Sequence, residues 1–409
     1  MPIFAAFHGV VPTPERAAQV AAVPYDVVNT EEAAALAAGN PLSFLHISRP
    51  EIDLPPGTDP HGEAVYEQSR AALARIRREA PLLTDAEKHL YLYRQQMGRH
   101  VQTGVVGCAA SAEYLSGVIK KHEKTRKDKE DDRTRQVMAI RPHTGPAFFT
   151  YRGDPAIDAI VEAGCREQPY FSFTAPDGIV HTLWRLDPAA SLKLQAAFAK
   201  VPCFYIADGH HRSAAAARVA QECAPHNPNH NGTEEYNFFL AVAFPAAQLR
   251  ILPYNRVVKD LNGRDPETFL RAVEENFSVE PCADGKAAGK GDFRMYLGGR
   301  WYRLRAKLDE AALDVIGKLD VSILQNELLA PILGIDDPRT SPMIDFVGGM
   351  RGTGELEKRV DSGECKVAFS LYPTTVDQLM AIADAGAIMP PKSTWFEPKL
   401  RDGIVCHDF

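Results

Sequence analysis

The chain has 409 residues, 45% apolar and 24% charged, with a formal net charge of −7. That composition supports two or three globular domains and excludes wholesale disorder, while the acidic balance argues against a general nucleic-acid binder. No apolar run is long enough to span a bilayer, the opening residues lack a signal-peptide pattern, and the seven cysteines form no CxxC pair. Those three features point to a cytoplasmic protein with reduced thiols.

In chain order, Val23–Val28 reads as a strand, and Thr30 reads as the cap of a short helix stopped by Gly39-Asn40-Pro41. Phe44–Ile47 reads as a second strand, whose polar end offers Arg49 and Glu51 as candidate site residues. Residues 60–79 carry an amphipathic stripe through Ala64, Tyr66, Ala71, Leu73 and Ile76. Leu90–Met97 and Val101–Ala109 flank a Gly-containing turn and read as a hairpin.

The most charged segment is Lys120–Arg135, KKHEKTRKDKEDDRTR. Its interleaved signs fit a solvated helix laced with ion pairs. A zincin pattern fails, because position 126 is Arg where a second His would be needed. His122, Glu123, Lys124, Thr125 and Arg126 nevertheless put cations beside one carboxylate, the combination that a phosphoryl-transfer site uses.

Strands follow at 147–151, 171–174 and 179–186, with helices at 155–163 and 188–200. Then comes FYIADGHHRSAAAAR, Phe204–Arg218, a strand that turns at Asp208-Gly209 into an alanine-rich helix. A strand running into a helix start presents unpaired N–H groups backed by the helix dipole, a ready anion cradle. His210, His211 and Arg212 lie in its first turn. Further strands are expected at 238–244 and 251–258. Beyond about 260 the chain reads as helix 265–277, a flexible connector at 283–292, strands near 293–297 and 301–305, and an apolar helix at 321–333. IDFVGGMRGTGE is a second strand–glycine loop–helix element, but it matches neither the Walker nor the GxGxxG pattern. A strand at 366–371 and a helix at 376–385 lead to a stiff Pro-rich segment, in which Lys392, Ser393 and Lys399 could face a ligand or Trp395 and Phe396 could pin the chain down.

PYDVV, GNPLSFLH with SRPE, HEKTRKDKEDDR, ADGHHRSAAA, IDFVGG and IMPPKSTWFEPKL occur in the order in which the DUF1015 family carries them, and the whole chain resembles that family. More distantly, ADGHHR resembles the phosphate-binding element of the ParB/sulfiredoxin superfamily, which includes free-serine kinases. No cysteine stands in the turn, so the resemblance does not extend to sulfinic-acid reduction. It implies a mixed-sheet α/β or α+β fold, with a ParB/sulfiredoxin-like core in residues 1–260 and a smaller α+β domain in 261–409 whose last segment returns to the site.

The resemblance further implies a small-molecule phosphotransferase using ADP or ATP with Mg²⁺, serine or phosphoserine being the substrate. The phosphate would rest on Gly209–Arg212, with His210, His211, Arg212, His122, Lys124, Thr125, Arg126, Arg49, Glu51 and Lys392 contributing contacts. Glu123 or Asp208 would be the base or would hold the metal. A metal-dependent phosphomonoesterase, drawing also on His46, and a nucleotide-responsive or nucleic-acid-binding non-enzyme are the alternatives. Substrate, direction of transfer, metal and oligomeric state, a homodimer included, stay open at this level.

Overall fold

A computed structural model describes residues 2–409. The chain is mixed α/β and divides into two compact units, one formed by residues 1–249 together with 398–409 and the other by residues 250–397. Residue 260, where the sequence composition shifts, lies two residues past the strand Tyr254–Val258, which pairs on both sides inside the second unit's sheet.

The first unit is built on a nine-stranded mixed sheet. Its order runs Ile119–Lys120, Phe204–Asp208, Ala147–Tyr151, Phe238–Pro245, His100–Ala110, Tyr91–Met97, Val180–Arg185, Phe171–Thr174, and the short strand Phe4–Ala5 also pairs with His100–Ala110. The hairpins at 91–110 and 171–185 are antiparallel, whereas 204–208 runs parallel to 119–120 and 238–245 parallel to 147–151. Strands buried on both faces read as continuous apolar runs, as AFFTY and FFLAVAFP do. One core gathers Phe4, Phe149, Tyr151, Phe198 and Phe204 under helices Pro155–Gly164 and Pro188–Phe198. Both helices start as their sequences require, with Asp154 and Asp187 accepting the first free N–H groups ahead of a proline.

Two strands expected near the start are not strands. Pro24 opens a 3₁₀ turn over Tyr25–Val27, and Phe44–Ile47 lies in the helical turn Leu45–Ser48. A short apolar run is compatible with either state. Here Phe44, Leu45 and Ile47 all enter one core with Ala72, Leu73 and Ile76, which a four-residue helical turn allows. Helix Thr30–Ala37 is capped one residue earlier than expected, by an Asn29–Glu32 capping box. On helix Glu63–Glu79 the buried stripe runs through Val65, Tyr66, Ser69, Ala72, Leu73 and Ile76, leaving Ala64 and Ala71 exposed.

The second unit carries a six-stranded antiparallel sheet in the order Phe277–Cys282, Arg300–Ala306, Phe293–Leu297, Val367–Ser370, Tyr254–Val258, Ile344–Gly348. Val257, Trp301, Val347, Leu356 and Val360 form a core beneath helix Gly354–Asp361. The connector at 283–292 is anchored, since Asp292 takes Arg294 and Arg303 at 3.0 Å each. The apolar helix at 321–333 is α-helical only over Asp320–Leu324 and continues as a π-helical turn, Gln325–Leu329. Among the described residues no helix is long and apolar enough to cross a membrane.

Candidate active site

Parallel pairing of 204–208 with 119–120 sets Ile119 beside Phe204 and Lys120 beside Tyr205. Both segments therefore leave the sheet at the same edge, where side chains beyond parallel strands commonly gather around ligands. The HEKTR loop leaves from one strand and the ADGHHR turn from the other. They meet: the Arg126 N–H donates to His211 Nε2 at 3.1 Å, and His210 Nδ1 lies 3.7 Å from Glu123 Oε2.

Gly209 has φ +84°, a left-handed conformation that side-chain-bearing residues rarely adopt, and it starts helix His210–Cys223. A Cβ there would also stand 3.1 Å from Arg212 Nε. The cradle already holds an anion of its own. The Gly209 N–H donates to Asp208 Oδ1 at 2.8 Å, while Lys399 Nζ donates to Asp208 Oδ2 at 2.8 Å. Burial raises the Asp208 pKa, but Lys399, Arg212 and the two hydrogen bonds outweigh it and hold the carboxyl well below its usual range. Asp208 is thus an ionised, committed carboxylate and a weak proton acceptor. Glu123 is half exposed and better placed for that role.

His122 and His210 are buried, with rings 4.4 Å apart in a T-shaped contact. Neither nitrogen of His122, and not Nε2 of His210, has a hydrogen-bond partner of normal geometry. Burial pushes the His122 pKa down to about 4 against the pull of Asp208 and the Ile206 backbone, and burial followed by His122 itself pushes His210 well below the ordinary value. Both rings are neutral at pH 7. His211 is also shifted down, chiefly by burial. Lys124 is exposed, Thr125 Oγ1 donates to Glu130, and the Arg126 guanidinium is held by Asp128 at 2.7 Å.

Helix Lys127–Ile140 is solvated only on its outer face, a correction to the reading of the charged run. Asp132, Thr134 and Gln136 are buried, because the helix packs between helices 63–79 and 210–223. Asp132 accepts from His61, Tyr66 and Arg133, and Arg133 stacks over Tyr25 at 4.1 Å. Arg133, Gln136, Tyr25, Ser48, Arg212 and Asp402 line a cavity of about 50 Å³ that opens to solvent. Ser48 Oγ, Gln136 Oε1, His143 Nε2, Arg212 Nε and Asp402 Oδ1, all on lining residues, are buried without a hydrogen-bond partner. So many unsatisfied atoms around one space mark a place for a small polar molecule. Burial lifts the Asp402 carboxyl to about 7 in spite of Arg212, Arg133 and Arg401, with Asp26 adding to the rise.

Other expected site residues are placed elsewhere. Arg49 and Glu51 pair with each other at 3.0 Å, and the cavity wall runs through Ser48 instead. His46 is held at both nitrogens, by Asp53 at 2.8 Å and by the Asn40 carbonyl at 3.1 Å, which removes it as a metal ligand. Lys392 lies in the second unit, where its ammonium covers the Tyr254 ring and its carbonyl accepts from Arg256. Ser393 is hydrogen-bonded to the Pro390 carbonyl there. Arg133 and Asp402 were not singled out from the sequence. Arg133 lies within HEKTRKDKEDDR, and Tyr25 in PYDVV, Ser48 in SRPE and Arg212 in ADGHHR are further cavity residues that the quoted motifs contain.

Mg²⁺ does not fit the donors at the meeting of the two loops. It prefers oxygen ligands, whereas the cluster there supplies two imidazoles and one carboxylate, and both Asp208 oxygens are already engaged.

Residues 4–322 match the family model described as "Protein of unknown function (DUF1015)". The chain belongs to the DUF1015 family. The IDFVGG and IMPPKSTWFEPKL motifs lie beyond the matched span. No curated protein matches the chain. Similar solved structures include a free serine kinase variant in complex with AMP, at 12% identity and TM-score 0.37, covering 72% of this chain and 87% of that one. SbnI with a C-terminal truncation, from Staphylococcus aureus, is 12% identical with TM-score 0.38, covering 73% and 85%. A conserved hypothetical protein from Pyrococcus furiosus is 13% identical with TM-score 0.35, covering 75% and 94%.

Proposed function

We propose that this DUF1015 member transfers a phosphoryl group between a nucleotide and the hydroxyl of a small amino acid, with serine as the acceptor suggested by the ADGHHR resemblance. One observation carries the reading: the HEKTR loop and the ADGHHR turn meet, setting Glu123 beside His210 and Arg126 beside His211. The transferring phosphate rests on the first-turn N–H groups of the 210–223 helix, and Arg212, Arg126 and Lys124 offset the charge that develops on its oxygens. Lys399 holds the Asp208 carboxylate aside, which lessens its repulsion of the phosphate.

The cavity between Arg133, Arg212 and Asp402 takes the acceptor, its carboxylate toward the arginines and its ammonium toward Asp402. In transfer the acceptor oxygen forms a bond to phosphorus, the bond from phosphorus to the nucleotide's bridging oxygen breaks, and the hydroxyl proton passes to Glu123. The test is ³¹P NMR on the purified full chain, with ATP and serine or with ADP and phosphoserine, each with Mg²⁺ as the nucleotide's counter-ion. Phosphoserine should form or be consumed; no change in either direction overturns the reading.

The His122, Glu123 and His210 cluster favours a second reading, metal-assisted hydrolysis of a phosphomonoester. Release of inorganic phosphate from phosphoserine without nucleotide would select it.

A further inference from the structure

We propose that His122, Glu123 and His210 bind one divalent transition-metal ion of the Zn²⁺ class, with a coordination place left open for a phosphate oxygen or water. One ligand atom from each residue falls in a group whose members all lie within 4.8 Å of one another. Metal–nitrogen and metal–oxygen bonds of about 2.0–2.2 Å close such a gap with small side-chain rotations.

The two histidines carry the second, independent observation. Their side chains are 2% and 4% exposed, and three of their four ring nitrogens lack a hydrogen-bond partner of normal geometry. A buried polar atom left unpaired is destabilising, and a bound ligand that pairs it removes that cost. Two such rings in edge-to-face contact beside a carboxylate can each turn one nitrogen lone pair toward one small volume, where a cation would take one ligand atom from each ring.

Placement follows from topology. His122 lies two residues past the strand 119–120 and His210 two residues past the strand 204–208, and the two strands run parallel in register. Neither histidine could be brought to the other by local sequence. The donor set decides the class of ion: imidazole nitrogens favour the later first-row metals over Mg²⁺, with affinity rising from Mn²⁺ to Cu²⁺ and Zn²⁺ below that peak. Asp208 is not a further ligand, since its oxygens are taken by the Gly209 N–H and Lys399, but its charge lies near both rings. Three protein ligands with a fourth place free is the arrangement of catalytic rather than structural zinc. One Glu123 oxygen on the ion leaves the other for the acceptor's proton, so the metal and the transfer reading are compatible yet separable.

The experiment is titration of the full chain, stripped with chelator, with ZnCl₂ by calorimetry and with CoCl₂ by visible absorption. One equivalent of Zn²⁺ should bind with a Kd of micromolar or tighter, Co²⁺ should give d–d bands of a nitrogen- and oxygen-ligated site, and millimolar Mg²⁺ should not displace either. His210→Ala and His122→Ala should weaken Zn²⁺ by at least about 100-fold and Glu123→Gln by about 10-fold. Should either alanine variant fail to fold by circular dichroism, the half-exposed Glu123→Gln still decides the matter. Substoichiometric Zn²⁺, or full-affinity binding retained in Glu123→Gln, overturns the proposal. Phosphoserine turnover by metal-stripped protein that binds no Zn²⁺ would sink the metal site alone, whereas Zn²⁺ bound at these residues with no turnover would sink only the transfer reading.

Discussion

Lys399 and Asp208 are 191 residues apart in the sequence and form an ion pair of 2.8 Å at the head of the 210–223 helix. The returning segment 398–409 therefore completes the first unit at its candidate site. It also keeps the Asp208 carboxylate ionised on the Gly209 N–H, beside the first-turn N–H groups of that helix.

Lys399→Met should lower stability by about 1–3 kcal/mol. The side chains keep 13% and 27% exposure, which holds the cost below that of a fully buried pair. Asp208 has a folded pKa below its unfolded value, so its contribution is present above the ordinary carboxylate pKa and is lost as pH falls through the folded value. Urea midpoints should therefore separate wild type from variant most at pH 7 and converge below about pH 4. Equal midpoints at pH 7 would refute this.

Asp402→Asn should trade stability against acceptor binding. The folded carboxyl is raised to about 7, so the stability tied to its proton is full below the unfolded pKa and lost as pH rises through 7. At pH 8 the asparagine variant should be more stable than wild type by about 4 kcal/mol, from a pKa raised from 3.8 to about 7. Its KM for the amino-acid acceptor should rise about 10-fold, a loss of about 1.4 kcal/mol, with the nucleotide KM unchanged. Acceptor affinity of the wild type should climb across pH 7, and that of the variant should stay flat.

Buried neutral histidines should make the fold acid-sensitive above the carboxylate range. His122 is lowered to about 4 by burial opposed by Asp208, while His143 and His181 are lowered to about 3 by burial together with His407 and Arg401 respectively. Their unfolded values lie near 6.5. Protons then favour the unfolded chain as pH falls from about 6.5 toward the folded values, and stability declines across that window. Thermal melts at half-unit steps should show the decline starting near pH 6.5, and His143→Gln should make it shallower. A flat melting temperature down to pH 5 would contradict the assignment.

Gly209→Ala places a Cβ at positive φ and within 3.1 Å of Arg212 Nε. About 1–2 kcal/mol of stability should be lost, and nucleotide affinity should fall with it as Arg212 is displaced. Gly39→Ala, also at positive φ but in open space, is the control: comparable strain with nucleotide affinity intact.

The ADGHHR turn was legible because its signals are local. A buried strand, a residue that needs positive φ and a run of alanines specify strand, turn and helix within fifteen residues. The same holds for the Asp-Pro helix starts at 154 and 187. Phe44–Ile47 differs from its expected strand for the complementary reason, since three apolar residues in a run of four fit either a strand or a helical turn until a core is present to choose. Arg133 and Gln136 stayed hidden inside a charged run, because helical periodicity shows that two faces exist without showing which of them a neighbouring helix will cover.

The sequence by itself determined the two loops, the chemistry each carries and the DUF1015 membership. Tertiary structure alone decided that they meet, because the contact depends on parallel pairing of residues 85 positions apart, Ile119↔Phe204 and Lys120↔Tyr205, the separation also of the Arg126 to His211 bond. It likewise decided that Lys399 and Asp402 return to the first unit. Such contacts are fixed by burial and pairing summed over the whole sheet, and no local pattern of residues encodes that sum.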